Sequence, residues 1–126
     1  MRTKLGALVL IGLLVVGSLA WASPASAGGR VRTNITISGR DGDFDGRVSS
    51  DLPQCVVGRL VLLYRATSAN GPFNLTGDQT NVGQDGLWSM PSTGERNGYY
   101  RVKAPRTQLC KAGRSKVRHL VNGVPQ

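Results

Sequence analysis

Between residues 28 and 126, apolar side chains come in short alternating or β-branched runs, bounded by Gly, Pro, Asn, Asp or Ser and recurring about every 10 to 15 residues. No stretch keeps apolar residues at i, i+3, i+4 and i+7 through three turns, so helix is expected to be a minor component. The rhythm predicts seven strands, over residues 31–38, 44–50, 59–65, 73–76, 87–90, 99–104 and 115–121. Asp85-Gly86 and Asn97-Gly98 favour positive φ and are expected to form hairpin tips. Alternation puts Ile35 and Ile37, Phe44 and Val48, Trp88 and Met90, and Tyr100 and Val102 on the core side of their strands.

The run over 59–65 differs, because Leu60, Leu62 and Tyr64 alternate with Val61 and Leu63 and leave both faces apolar. A central strand buried on both sides explains this, and so does an outer face used for interaction. Seven short antiparallel strands bury one face each most simply by stacking two sheets. The expected fold is therefore an all-β, seven-stranded immunoglobulin-like sandwich, with a small barrel as the alternative.

A chain of 126 residues allows one small domain, and its first 27 residues read as an export signal. Arg2 and Lys4 open it, an apolar stretch over 5–21 follows, and Ala25-Ser26-Ala27 is a small-residue cleavage site. A membrane anchor is the competing reading, but 17 residues fall short of the roughly 20 needed to span. Residues 28–126 would then be a single domain, secreted or held in the cell envelope. Export makes the cysteines informative, since an oxidising compartment permits a disulfide and Cys55 and Cys110 allow only one. A redox pair would sit close together as C-x-x-C, and a zinc site would need a ligand beyond the two Cys and His119.

Several elements follow one another: Phe44-x-Gly46-x-Val48, Gly58-Arg59-x-Val61-x-Leu63-Tyr64, Thr80, Asp85-Gly86-x-Trp88 and Gly98-x-Tyr100. Together they resemble the transthyretin-like, carboxypeptidase-regulatory-like domains of secreted bacterial proteins. The resemblance covers residues 44–104 and implies a prealbumin-like Greek-key sandwich. It carries fold residues and no catalytic group.

Asp41-Gly42-Asp43-Phe44-Asp45-Gly46 copies the opening of a calcium loop, but Leu52 stands where a bidentate Glu would close it, so appreciable calcium binding is not expected. The single His, His119, is expected to be a packed or surface residue of the last strand. With no G-x-S-x-G and no His-containing metal motif, neither catalysis nor a cofactor is expected. Asn34-Ile35-Thr36 and Asn74-Leu75-Thr76 match the glycosylation pattern, which matters only in a host that reads it.

Charge changes the picture more. Removing Arg2 and Lys4 from the 16 basic residues leaves 14 against 7 acidic ones, a net charge of +7. Eight of those cations and no acid lie in residues 96–126, whereas four of the seven acids lie in 41–51. With 115–121 as one continuous strand, Arg101, Lys103, Lys116 and Arg118 are expected to face outward as an anion-binding stripe. Outside a cell its partner would be an anionic envelope polymer, an acidic glycan or a lipid headgroup, with no nucleic acid expected. A solvated face with no ligand is the alternative. Two functions therefore stand: an exported non-catalytic binding module, or a purely structural secreted domain.

Overall fold

The computed structural model describes residues 29–126, and the export signal expected over 1–27 lies outside the described residues. Ten strands occur among them: β1 (Asn34–Ile35), β2 (Ser38–Arg40), β3 (Asp43–Ser49), β4 (Leu60–Ala66), β5 (Asn74–Asn81), β6 (Leu87–Met90), β7 (Gly98–Ala104), β8 (Gly113–Arg114), β9 (Arg118–Val121) and β10 (Val124–Pro125). They form two antiparallel sheets. In the four-stranded sheet β3 pairs with β1 and β2 along one edge and β6 along the other. The six-stranded sheet runs β10-β9-β7-β4-β5, with β8 also on β7.

Ten strands replace the seven expected, because the first run is broken in two and two short strands, β8 and β10, flank what remains of the last. The first divides at Thr36, whose hydroxyl, in place of its carbonyl, accepts the Arg47 N–H at 2.9 Å. Of the last run only Arg118–Val121 is strand, with β8 just ahead of the run and β10 just after it. The turns also differ from expectation. Asp85-Gly86 and Asn97-Gly98 are not hairpin tips, since the strands they join, β5 to β6 and β6 to β7, lie in different sheets. The two-residue hairpins are Asp41-Gly42, where Arg40 pairs with Asp43, and Asn122-Gly123, where Val121 pairs with Val124. Both residues of each pair have positive φ, at 53° and 86° and at 51° and 82°, as a tight turn matched to strand twist requires.

The alternating residues meet between the sheets. Ile35, Phe44, Val48, Trp88 and Met90 from one sheet pack on Val61, Leu63, Tyr100, Val102 and Leu120 from the other, and Ile37 is partly buried against them. The Phe44 and Tyr100 rings lie 5.1 Å apart across the interface. Strand β4 is central in its sheet, between β5 and β7, yet its second face is not covered: Leu60, Leu62 and Tyr64 are half-buried. Two-sided burial is thus the wrong explanation for its apolar pattern.

One corner is stapled twice. Cys55, at the end of the short 3-10 turn Pro53–Cys55, is joined by a disulfide to Cys110. Beside it, the buried Arg59 guanidinium donates to Thr33 Oγ1 at 2.8 Å and to the carbonyls of Cys55 (3.0 Å), Pro105 (2.9 Å) and Lys111 (2.8 Å). Burial lowers its pKa from the ordinary arginine value. A disulfide is consistent with a non-reducing compartment. Among the described residues no helix is long and apolar enough to cross a membrane.

Candidate anion-binding face

Register fixes which cations share a surface. Arg101 and Lys103 alternate along β7 with the buried Tyr100, Val102 and Ala104, and so point away from the core. Tyr64 and Leu62 of β4 stand directly across from them on one side. On the other side, Arg114 of β8 stands directly across from Lys103. The outer face of the six-stranded sheet therefore carries three adjacent cations, Arg101, Lys103 and Arg114.

Arg118 is not among them. Ser115 pairs with Val102, through N–H to carbonyl at 3.0 Å and through the Val102 N–H to Ser115 Oγ at 2.9 Å. Arg118 pairs with Tyr100. Two residues, Lys116 and Val117, thus stand against the single Arg101, and this bulge inverts the alternation that follows. Arg118 shares the Tyr100 face and lines a concavity of about 320 Å³ with Asp41, Asp43 and Asp45. Lys116 is exposed in the bulge itself. Of the four residues expected to form the stripe, Arg101 and Lys103 keep that placement, and Arg114 takes the position expected of the last strand's cations.

The three cations are uncompensated. The ion pairs among the described residues are Arg65 with Glu95 at 3.8 Å and Arg96 with Asp41 at 3.2 Å, both elsewhere. No acid occurs in β4, β7, β8 or β9, and Asp78 of β5 shares a face with Thr80, whose partner Val61 points into the core. Burial, and next the charge of Arg114, lower the Arg101 pKa from its ordinary value.

Aromatic side chains interleave with these charges. The Arg101 guanidinium carbon lies 4.0 Å from the centroid of the Phe73 ring, a cation–π contact that holds the group against the sheet. Tyr64, Phe73, Arg101, Lys103 and Arg114 enclose a shallow recess of about 80 Å³. Along the same face, Tyr99 and His119 stack with centroids 4.0 Å apart and planes within 5°. Phe73 and Arg114 escaped the sequence reading. Arg114 lies one residue ahead of the expected strand, and no local pattern shows that Phe73 reaches Arg101.

The acidic segment does not curl into a loop. Its chain turns at Asp41-Gly42 and then extends as β3, and each carboxylate has a partner. Asp41 pairs with Arg96, Asp43 accepts the Ser92 N–H at 2.7 Å, and Asp45 accepts the Ser38 hydroxyl at 3.2 Å. Comparison with protein-family models, curated proteins and solved structures finds no match for this chain.

Proposed function

We propose that the protein is an exported, non-catalytic module that binds anionic polymers of the cell envelope or extracellular space on the outer face of its six-stranded sheet. The observation that carries this reading is the row Arg101, Lys103 and Arg114, adjacent in register and free of any carboxylate partner among the described residues. Like charges directly across a strand pair destabilise the fold, and a bound polyanion relieves that repulsion. Lys103 and Arg114, directly paired, lie about 5 Å apart at Cβ and the diagonal neighbours Arg101 and Arg114 about 7–8 Å, within the screening length of about 8 Å at physiological salt, so the three act on one segment of polymer. Binding then releases the polymer's counterions and weakens as salt rises. Export is supported by the Cys55–Cys110 disulfide and by the signal-like residues 1–27. The two stacked sheets are compatible with a transthyretin-like, prealbumin-like Greek-key fold, which we retain as part of the proposal.

Retention on immobilised dextran sulfate tests the reading. The wild-type protein should remain bound at physiological ionic strength and elute with added salt. Changing Arg101, Lys103 and Arg114 together to Gln should abolish retention there. The same change at Arg40, Arg47 and Arg106, three exposed cations outside this face, should leave most of it. Arg59 and Arg65 are unsuitable comparators because the first is buried and the second is ion-paired. Equal losses from both triple variants, or an unretained wild type, would refute the proposal.

A further inference from the structure

We propose that the recess among Tyr64, Phe73, Arg101, Lys103 and Arg114 is a discrete site for one tetrahedral oxyanion, a phosphate or sulfate ester group carried by the polymer. The inference rests on the polymer-binding reading and adds to it a defined seat and a ligand class. Size matches a single group: about 80 Å³ is roughly the volume of two or three waters. Geometry points to tetrahedral oxygens. Arg101 and Lys103 line the recess from two positions on β7, and Arg114 lines it from β8, so three cationic side chains border one small space. A carboxylate offers two oxygens in one plane, whereas a phosphate or sulfate monoester offers three around a tetrahedral centre, one for each of the three groups.

The Phe73 ring also covers one face of the Arg101 guanidinium, which leaves the donors along its edge directed by packing before a ligand arrives. A point charge cannot do this. The site therefore distinguishes Arg from Lys at position 101, which a purely electrostatic surface does not.

Three small anions serve as probes: inorganic phosphate, sulfate and malonate, the last a dianion with planar carboxylates. Each is titrated into the wild-type protein while the Arg101 Nε–H and the Phe73 and Tyr64 ring protons are followed by NMR. Saturable shifts are expected with phosphate or sulfate and not with malonate, and whichever of the two binds more tightly names the ester. Arg101→Lys and Phe73→Leu, both of unchanged net charge and with the folded spectrum verified, should remove the saturable response and weaken dextran sulfate binding at least tenfold. Lys103→Arg should change it less than threefold. An Arg101→Lys variant that binds dextran sulfate like wild type would overturn the discrete site while leaving the polymer reading intact. Saturation by all three anions alike would overturn the ligand class. A wild type that binds no polymer yet saturates with phosphate or sulfate would refute the polymer reading and support the oxyanion seat.

Discussion

Replacing Arg59 by Met tests how the disulfide corner is held. The guanidinium makes four hydrogen bonds, at 2.8, 3.0, 2.9 and 2.8 Å, to Thr33, Cys55, Pro105 and Lys111. Bonds to a charged donor contribute about 1.5–3 kcal/mol each, so the gross contribution is about 6–12 kcal/mol. Against this stands the cost of burying the charge, several kcal/mol for one ion even after relaxation. Methionine fills similar volume but strands three carbonyls and a hydroxyl at a buried corner, so a net loss of about 3–5 kcal/mol is expected, a large share of the stability of a small domain. Lysine retains the charge but cannot present a planar fork to four acceptors, and should lose at least about 2 kcal/mol. Urea unfolding followed by Trp fluorescence, with the disulfide intact in every variant, gives both numbers. A loss below about 1 kcal/mol for both would refute the account of Arg59 as a staple. Because Arg59 bonds the carbonyl of Cys55 itself, its loss and the loss of the disulfide should be non-additive, which a double-mutant cycle with Cys55→Ala and Cys110→Ala measures.

Reducing the disulfide, whose cysteines are 55 residues apart, should lower the unfolding free energy by about 4 kcal/mol in the chain-entropy model. A change below 1 kcal/mol in matched urea titrations would contradict it. Gly46→Ala should cost about 1–3 kcal/mol, since a Cβ there meets the Thr36 carbonyl and lies 2.8 Å from Trp88 Nε1; an unchanged melting curve would count against that close approach. Burial first, with the neighbouring Glu95 in addition, raises the Tyr100 pKa above its ordinary value, so the fold favours the neutral phenol. The resulting stability is fully present below about pH 10, the unfolded tyrosine value, and is lost as pH rises through the higher folded value. Tyr100→Phe should flatten that alkaline decline, at the loss of the bond to the Asn97 carbonyl.

How much the sequence disclosed depended on how local the signal was. Core faces were legible because alternation over four or five residues suffices, as at Phe44 and Val48 or Trp88 and Met90. The disulfide was legible because two cysteines permit one pairing. The stripe was only partly legible. Lys116 and Val117 together oppose Arg101, and that one extra residue turns Arg118 to the core side, while Arg114, ahead of the bulge, stands across from Lys103. Nothing in the spacing of the cations marks such a bulge. Asn-Gly and Asp-Gly pairs announce a turn but not whether the flanking strands pair. Asp41-Gly42 and Asn122-Gly123 therefore close hairpins, while Asp85-Gly86 and Asn97-Gly98 lead from one sheet to the other. Arg59 carried no sign of burial, because its four partners come from positions as distant as Thr33 and Lys111.

The measurement that bears most directly on the proposed function is a map of where polymer touches the protein. The backbone amides of the ¹⁵N-labelled protein are followed during titration with dextran sulfate at physiological salt. The account predicts shifts concentrated on β7, β8 and the facing parts of β4 and β5, around Arg101, Lys103 and Arg114, with β3 and β6 unmoved. Shifts centred on the four-stranded sheet, or spread evenly over the basic residues, would contradict it.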